Sequence, residues 1–361
     1  MVNRDADAYV APTEHELQGR LRRILRRPAV VREAAMPIDT YGGVDGVIDN
    51  PVACEVLPQF QLRIEYAPSG ASDNLSALFH IQQFSTPKLL RDIFTAVFSL
   101  DSITSNTLSA RVALGEYTLK AAALPFLRQL GLIERQPGAG DAIRLTPWAK
   151  ALRSTSDGAP GLLGEAIHLH LATRYHANRD MRASWAYATA VGHLWDRAPL
   201  ACPPAVRDQL AAQIRVAGAA AYGLALDRVA FSGDSVRGVM HWLGALTPRV
   251  IEGRGGAVRI GRRTTCPVPA VWWAVGVLDG QAREDAAGGP VVVDDARRVA
   301  LARLLFLEPT AVEPMLRLAA AEASGLSGEP CLTYDATRAQ LAVVRRIAIG
   351  TLPGGADAGG S

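Results

Sequence analysis

The closest grouping of histidines in this 361-residue chain is His168, His170 and His176. Metal capture or general-base chemistry would need at least two of them on one face. On a helix His168 and His170 point about 200° apart, and His176 lies about two turns beyond His168. The three do not converge, so they are expected to be structural or surface histidines. Gly138-Ala139-Gly140 and Gly253-Arg254-Gly255-Gly256 have the composition of phosphate loops. Neither follows a parallel strand and opens a helix, as phosphate cradling requires. GxxxxGK[ST], GxSxG and HExxH are missing from the sequence. Asp294-Asp295 after Val291-Val292-Val293 has the form of a carboxylate strand end in a metal-dependent nuclease, but no basic partner motif accompanies it. The expectation is a protein without catalytic residues, metal or cofactor.

The remaining chemistry is that of arginine. Arg249, Arg254, Arg259, Arg262 and Arg263 crowd a short stretch in which Glu252 is the only acid. Arginine forms forked hydrogen bonds to phosphate, and a glycine-flanked Arg254 suits a groove or a backbone phosphate. Arg237 and His241, four residues apart, share one face of a preceding helical pattern. A second, weaker set is Tyr117, Thr118, Lys120 and Arg128, with Glu116 beside it. Double-stranded DNA is the expected partner of both sets.

Those residues need elements to hold them. Ser85 and Thr86 offer caps, Pro87 suits a first helical turn, and Leu89, Ile93, Phe94 and Val97 recur at helical spacing. A second helix is predicted from Ser105 to Leu114, stopped by Gly115. A third is predicted from Glu116 to Leu130, with Gly131 in a left-handed closing position. Leu132 to Arg135 and Ala142 to Thr146 then read as a hairpin around a Gly/Pro turn. The order returns later: a helix from Ala205, a short helix from Tyr222 to Val229, and a helix capped at Ser232. A hairpin follows over Arg249–Glu252 and Ala257–Ile260.

The run Leu127 to Arg135, with Ile143-Arg144-Leu145-Thr146 after it, resembles the helix-to-wing junction of bacterial winged helix-turn-helix regulators. That resemblance implies a mainly α fold with short β-hairpins (α+β), in tandem winged helix-turn-helix units. It also implies duplex binding through the third helix and the wing, and it covers about 70 residues. The pattern departs from the regulators in three ways. Pro125 interrupts the third helix, Glu116 opens it, and the tip Pro137 to Asp141 carries no positive charge.

The resulting division is an N-terminal region (1–80) with a basic helix over Glu14–Arg27 and a strand over Gln59–Tyr66. It continues with a first winged unit (81–155), a helical connector (156–200) and a second winged unit (201–265). A C-terminal helical region (266–361) follows, with room for a third such unit and a disordered tail from about 353. Cys54, Cys202, Cys266 and Cys331 lack ligand spacing and read as isolated thiols in a reducing compartment. The N-terminus has no secretory pattern, and no apolar run reaches the roughly 20 residues of a membrane helix. A cytoplasmic protein is expected. A net charge of +3 permits nucleic acid but does not require it. Two functional readings stay open. One is a DNA-binding regulator, or the DNA-engaging subunit of a larger bacterial system such as a defence module. The other is an interaction subunit that uses its winged helices on partner proteins or on a second copy of itself.

Overall fold

The computed structural model describes residues 79–81, 86–129, 131–136, 138, 140–147, 149–150, 152–153, 160–177, 181–253, 258–285, 291–325 and 332–343. The basic helix over Glu14–Arg27, the strand over Gln59–Tyr66 and the tail from Pro353 lie outside these residues. The described chain is mainly helical, with three small antiparallel sheets. Among the described residues no helix is long and apolar enough to cross a membrane. Compactness divides the chain into two units, one made of 62–154 with 163–262, the other of 1–61, 155–162 and 263–361.

The first module opens with α1 (Pro87–Phe98), whose N-cap Thr86 accepts a hydrogen bond from the Leu89 amide, with Pro87 in the first turn. Ile103 then pairs with Ile143, and α2 (Ser105–Val112) follows. α2 ends earlier than the sequence suggests, because Ala113 adopts the left-handed conformation at φ +51°. Helix α3 is continuous but not uniform: Glu116–Thr118 is α-helical, Leu119–Ala123 is a π turn, and Leu124–Gln129 is α-helical again. The π turn lies just before Pro125, whose ring has no N–H to give and crowds the carbonyl four residues back. A locally widened helix relieves that conflict without breaking the element. Gly131 closes α3 at φ +68°, and β1 (Ile133–Arg135) pairs antiparallel with β2 (Ile143–Leu145).

Helix α4 (Pro160–Ala177) is a strut whose residues from 162 to 174 are all buried. A Cβ at Gly164 would collide with the Ala245 carbonyl oxygen, and the Glu165 carboxylate accepts the Thr247 amide at 2.9 Å. Farther along, the Arg174 guanidinium packs against Gly131 at the end of α3. One buried helix therefore touches the turn after the third helix of both modules.

The second module begins inside the predicted connector. α5 (Arg182–Arg197) packs on α6 (Pro204–Tyr222) and α7 (Gly233–Leu243), and so belongs to this module's core. Ser184 of α5 accepts the Tyr175 amide and donates to the Leu171 carbonyl, splicing itself into the hydrogen-bond ladder of α4. α6 includes Tyr222, and the expected short helix after it is a 3-10 turn at Leu226–Arg228. α7 starts at a reciprocal cap between Ser232 and Ser235. β4 (Ile251–Glu252) and β5 (Arg259–Ile260) form the expected hairpin, and β3 (Leu200–Ala201) adds to the β5 edge, giving the order β3-β5-β4.

The third module, in the other unit, repeats this plan. α8 (Val268–Asp285), β6 (Val291–Val292), α9 (Asp295–Leu304), α10 (Val312–Gly325), β7 (Leu332–Asp335) and β8 (Gln340–Val343) follow in order, and the sheet order is β6-β8-β7. Trp273 is fully buried in α8, and Trp272 donates to the Ala319 carbonyl at 3.0 Å. The second and third modules are thus helix, strand, helix, helix and hairpin, with the first strand paired to the last, and in the first module the single bridge Ile103–Ile143 stands where that strand would be.

Candidate nucleic-acid interface

In the second module α7 buries Val236, Val239, Met240 and Leu243 and turns a narrow face outward. Arg237 is exposed on that face, and His241 is half-buried one turn on. Arg249, just before β4, and Arg259, on β5, are also exposed. The candidate surface is therefore Arg237, His241, Arg249 and Arg259. Arg254 lies outside the described residues, so its place at the hairpin tip rests on the sequence alone. Glu252 stands directly across the ladder from Arg259, so the hairpin's cation has a carboxylate as its neighbour.

Two of the predicted arginines serve the fold. Arg263 is only 4% exposed, and its Nε donates to the Leu305 carbonyl at 2.8 Å. Arg262 is half-buried, its guanidinium 4.5 Å from the Trp195 ring centre, and its Nε donates to the Trp195 carbonyl at 2.9 Å. Burial removes Arg263 from any contact surface, and the stack on Trp195 fixes Arg262 as a staple between β5 and the end of α5. In sequence both look like continuations of the basic hairpin; only the third dimension separates them.

Acidic groups mark the start of α7. Asp234 lies in its first turn, and Asp208 of α6 presses on Gly233, where a Cβ would collide with Oδ1. Carboxylates at a helix N-terminus stabilise the helix dipole. The same charge disfavours a phosphate there, which moves the anion-accepting part of this surface to Arg237, Arg249 and Arg259.

The first module presents different chemistry at the equivalent place. Tyr117 is 85% exposed on α3, Thr118 and Arg128 are half-buried, and Lys120 is exposed. Lys120 donates to the Glu116 carboxylate one turn back, at 2.5 Å, which holds the ammonium above the ordinary lysine value. In the hairpin Arg144 pairs with Glu134 at 2.7 Å. Asp141, at the turn, accepts from the Ser105 hydroxyl, which holds its carboxyl below the usual range. Lys120 and Arg144 are thus matched by carboxylates of their own module.

The other candidate chemistries resolve into structure. His168 is fully buried and its Nδ1 lies 2.8 Å from the Tyr187 hydroxyl. Burial, with Glu165 nearby, pushes the Tyr187 phenol well above its ordinary value. His170 is also buried, whereas His176 is exposed. Asp294 is the N-cap of α9, accepting from the Arg297 amide at 2.8 Å, so this carboxylate at the strand end serves the helix. No group of three or more His, Cys, Asp or Glu among the described residues is placed to hold a metal ion. Cys202 and Cys266 are buried, and burial raises the Cys202 thiol; Cys54 and Cys331 lie outside the described residues.

The chain matches no family model, no curated protein and no solved structure.

Proposed function

We propose that this protein binds double-stranded DNA through tandem winged helices, with the second module as the principal contact. The observation that carries the reading is the plan the modules share: three helices closed by a hairpin whose last strand pairs with a strand after the first helix in two modules and bridges to Ile103 in the first. A winged helix has this plan, and its third helix and hairpin are the parts that meet a duplex. In the second module those parts carry the exposed Arg237, Arg249 and Arg259. Arg237, Arg249 and Arg259 take phosphates in this reading, and His241 beside Arg237 faces the groove; the sequence adds Arg254 to the phosphate-binding set. The protein then acts as a transcriptional regulator or as the DNA-engaging subunit of a larger assembly, without catalysis of its own.

Titrating the full chain with a labelled random duplex across a salt series tests the reading. Phosphate contacts release counterions, so affinity is expected to fall steeply and linearly on logarithmic axes. Absence of binding at low salt sinks it.

One feature favours the second reading, an interaction subunit. α6 exposes Ala205, Ala212, Val216 and Ala220 along one side, with Val216 60% exposed and Leu226 beyond them 47% exposed. An apolar strip of this kind suits a partner protein or a second copy more than a phosphate backbone.

A further inference from the structure

Residues 79–81 precede the first module in sequence, and Phe79 and His80 among them contact the second. Phe79 and Ile81 are fully buried, and His80 is half-buried between them. The Phe79 ring meets Trp185 of α5 edge-on at 6.1 Å between centres and Tyr222 of α6 at 5.3 Å. Trp185 and Tyr222 meet each other edge-on at 5.5 Å. The Arg182 guanidinium lies 5.6 Å from the Phe79 ring centre and 5.1 Å from that of Tyr222. Gly218 makes this possible, since a Cβ there would approach Val229, Trp185 and Phe79 to between 3.1 and 3.3 Å.

The segment ends its work at α7. His80 Nδ1 lies 2.5 Å from the Ser235 hydroxyl. Ser235 is one half of the reciprocal cap that starts α7: its amide donates to Ser232 Oγ, and its Oγ accepts the Ser232 amide. A hydroxyl has one proton and two lone pairs, so an oxygen that accepts the Ser232 N–H still bonds Nδ1, donating to it in one imidazole tautomer and accepting from it in the other. The relay runs from Ser232 through Ser235 to His80 and orients the side chain on which the cap depends.

We propose that Phe79-His80-Ile81 is a strap seated on the second module, and that His80 is the positioning residue through which it holds the first turn of α7. Phe79 anchors the strap beside the buried Ile81, and His80 transmits its presence to the cap. Because α7 carries Arg237 and His241, strap seating also sets how well this module grips a duplex; that last step rests on the DNA-binding reading above.

The test uses the full chain with His80→Ala, His80→Asn and Phe79→Ala. Hydrogen exchange is read over residues 232–237, and duplex affinity is read separately. Losing one such hydrogen bond is expected to speed exchange there about threefold to tenfold in His80→Ala. His80→Asn, whose side-chain amide can accept from Ser235 or donate to it at the same distance along the side chain, is expected to restore the slow exchange. Phe79→Ala is expected to match or exceed His80→Ala at these amides. Duplex affinity is expected to fall severalfold in His80→Ala and to recover in His80→Asn. Unchanged exchange over 232–237 in a folded His80→Ala overturns the strap. Equal speeding in His80→Asn and His80→Ala overturns the positioning role of the imidazole. Faster exchange with unaltered affinity overturns only the coupling to DNA. A wild-type chain that binds no duplex defeats the DNA reading, while its exchange data still decide the strap.

Discussion

The first two modules share a plan down to the register of their hairpins, yet they offer a ligand different surfaces. In one, Ile133 faces Leu145 and Glu134 faces Arg144; in the other, Ile251 faces Ile260 and Glu252 faces Arg259. The third helices diverge. α3 accommodates Pro125 with a π turn and balances Lys120 with Glu116, whereas α7 is regular, doubly capped at its start and exposes Arg237. A scaffold of buried leucines, isoleucines and valines can thus be kept while a few exposed side chains decide whether it attracts an anion. The third module shows how far this goes. Over residues 312–323 of α10 only Ala321 is fully exposed, and Arg317 is paired with Glu313.

Charge removal separates the two modules most directly. Replacing Arg237, Arg249 and Arg259 with Ala together is expected to lower the salt slope of duplex binding by about 2 to 3, near one for each phosphate no longer neutralised. Replacing Lys120, Arg135 and Arg144 in the first module is expected to change it by less than about 1. Equal losses from the two sets would show that both modules meet DNA alike.

The next largest effect concerns what the two modules have in common. Gly164→Ala forces a methyl group onto the Ala245 carbonyl, so a loss of about 1–3 kcal/mol is expected in chemical denaturation. Because α4 also packs on Gly131, probes in both modules should shift together. A shift confined to the second module would mean that the strut does not couple them.

Alkali distinguishes the modules by a smaller margin. The folded state holds Tyr187 protonated well above its ordinary value, so its contribution is complete below the unfolded tyrosine pKa of about 10 and declines as pH rises beyond it. The second module is expected to lose stability above that pH, and Tyr187→Phe should flatten the decline. An unchanged profile in Tyr187→Phe would assign the alkaline loss to other groups.

The smallest expected effect lies in the ion pair of α3. Glu116→Gln releases Lys120 from its partner and should raise duplex affinity about twofold, with little change in stability, since an exposed pair in water adds little to folding. A fall in affinity would mean that the pair positions Lys120 instead of neutralising it.

Much of the local structure was legible from residue types. Thr86 with Pro87, Gly131 and Ser232 mark helix ends by hydrogen-bonding and φ requirements that act within a few residues, and both hairpins announce themselves by Gly-rich turns between apolar pairs. Strands β3 and β6 are two residues long, too short for any period, and they exist because a hairpin edge is there to pair with. Without β3, α5 reads as a connector, although its buried Ala186, Ala190 and Leu194 belong to the second module's core. The candidate surface was legible as composition and not as geometry. Arg259 and Arg263 are four residues apart in one basic run, but the chain turns between them and buries the second. Phe79 and His80 gave no local signal, since the residues that receive them lie over 100 positions away.

Hydrogen exchange of the wild-type chain, with and without random duplex DNA at low salt, reads directly which helix and hairpin meet the duplex. Slowed exchange concentrated over residues 233–261, with little change over 116–145, is the predicted result. Slowed exchange confined to 116–145, or none anywhere in the chain, would contradict the second module as the principal contact.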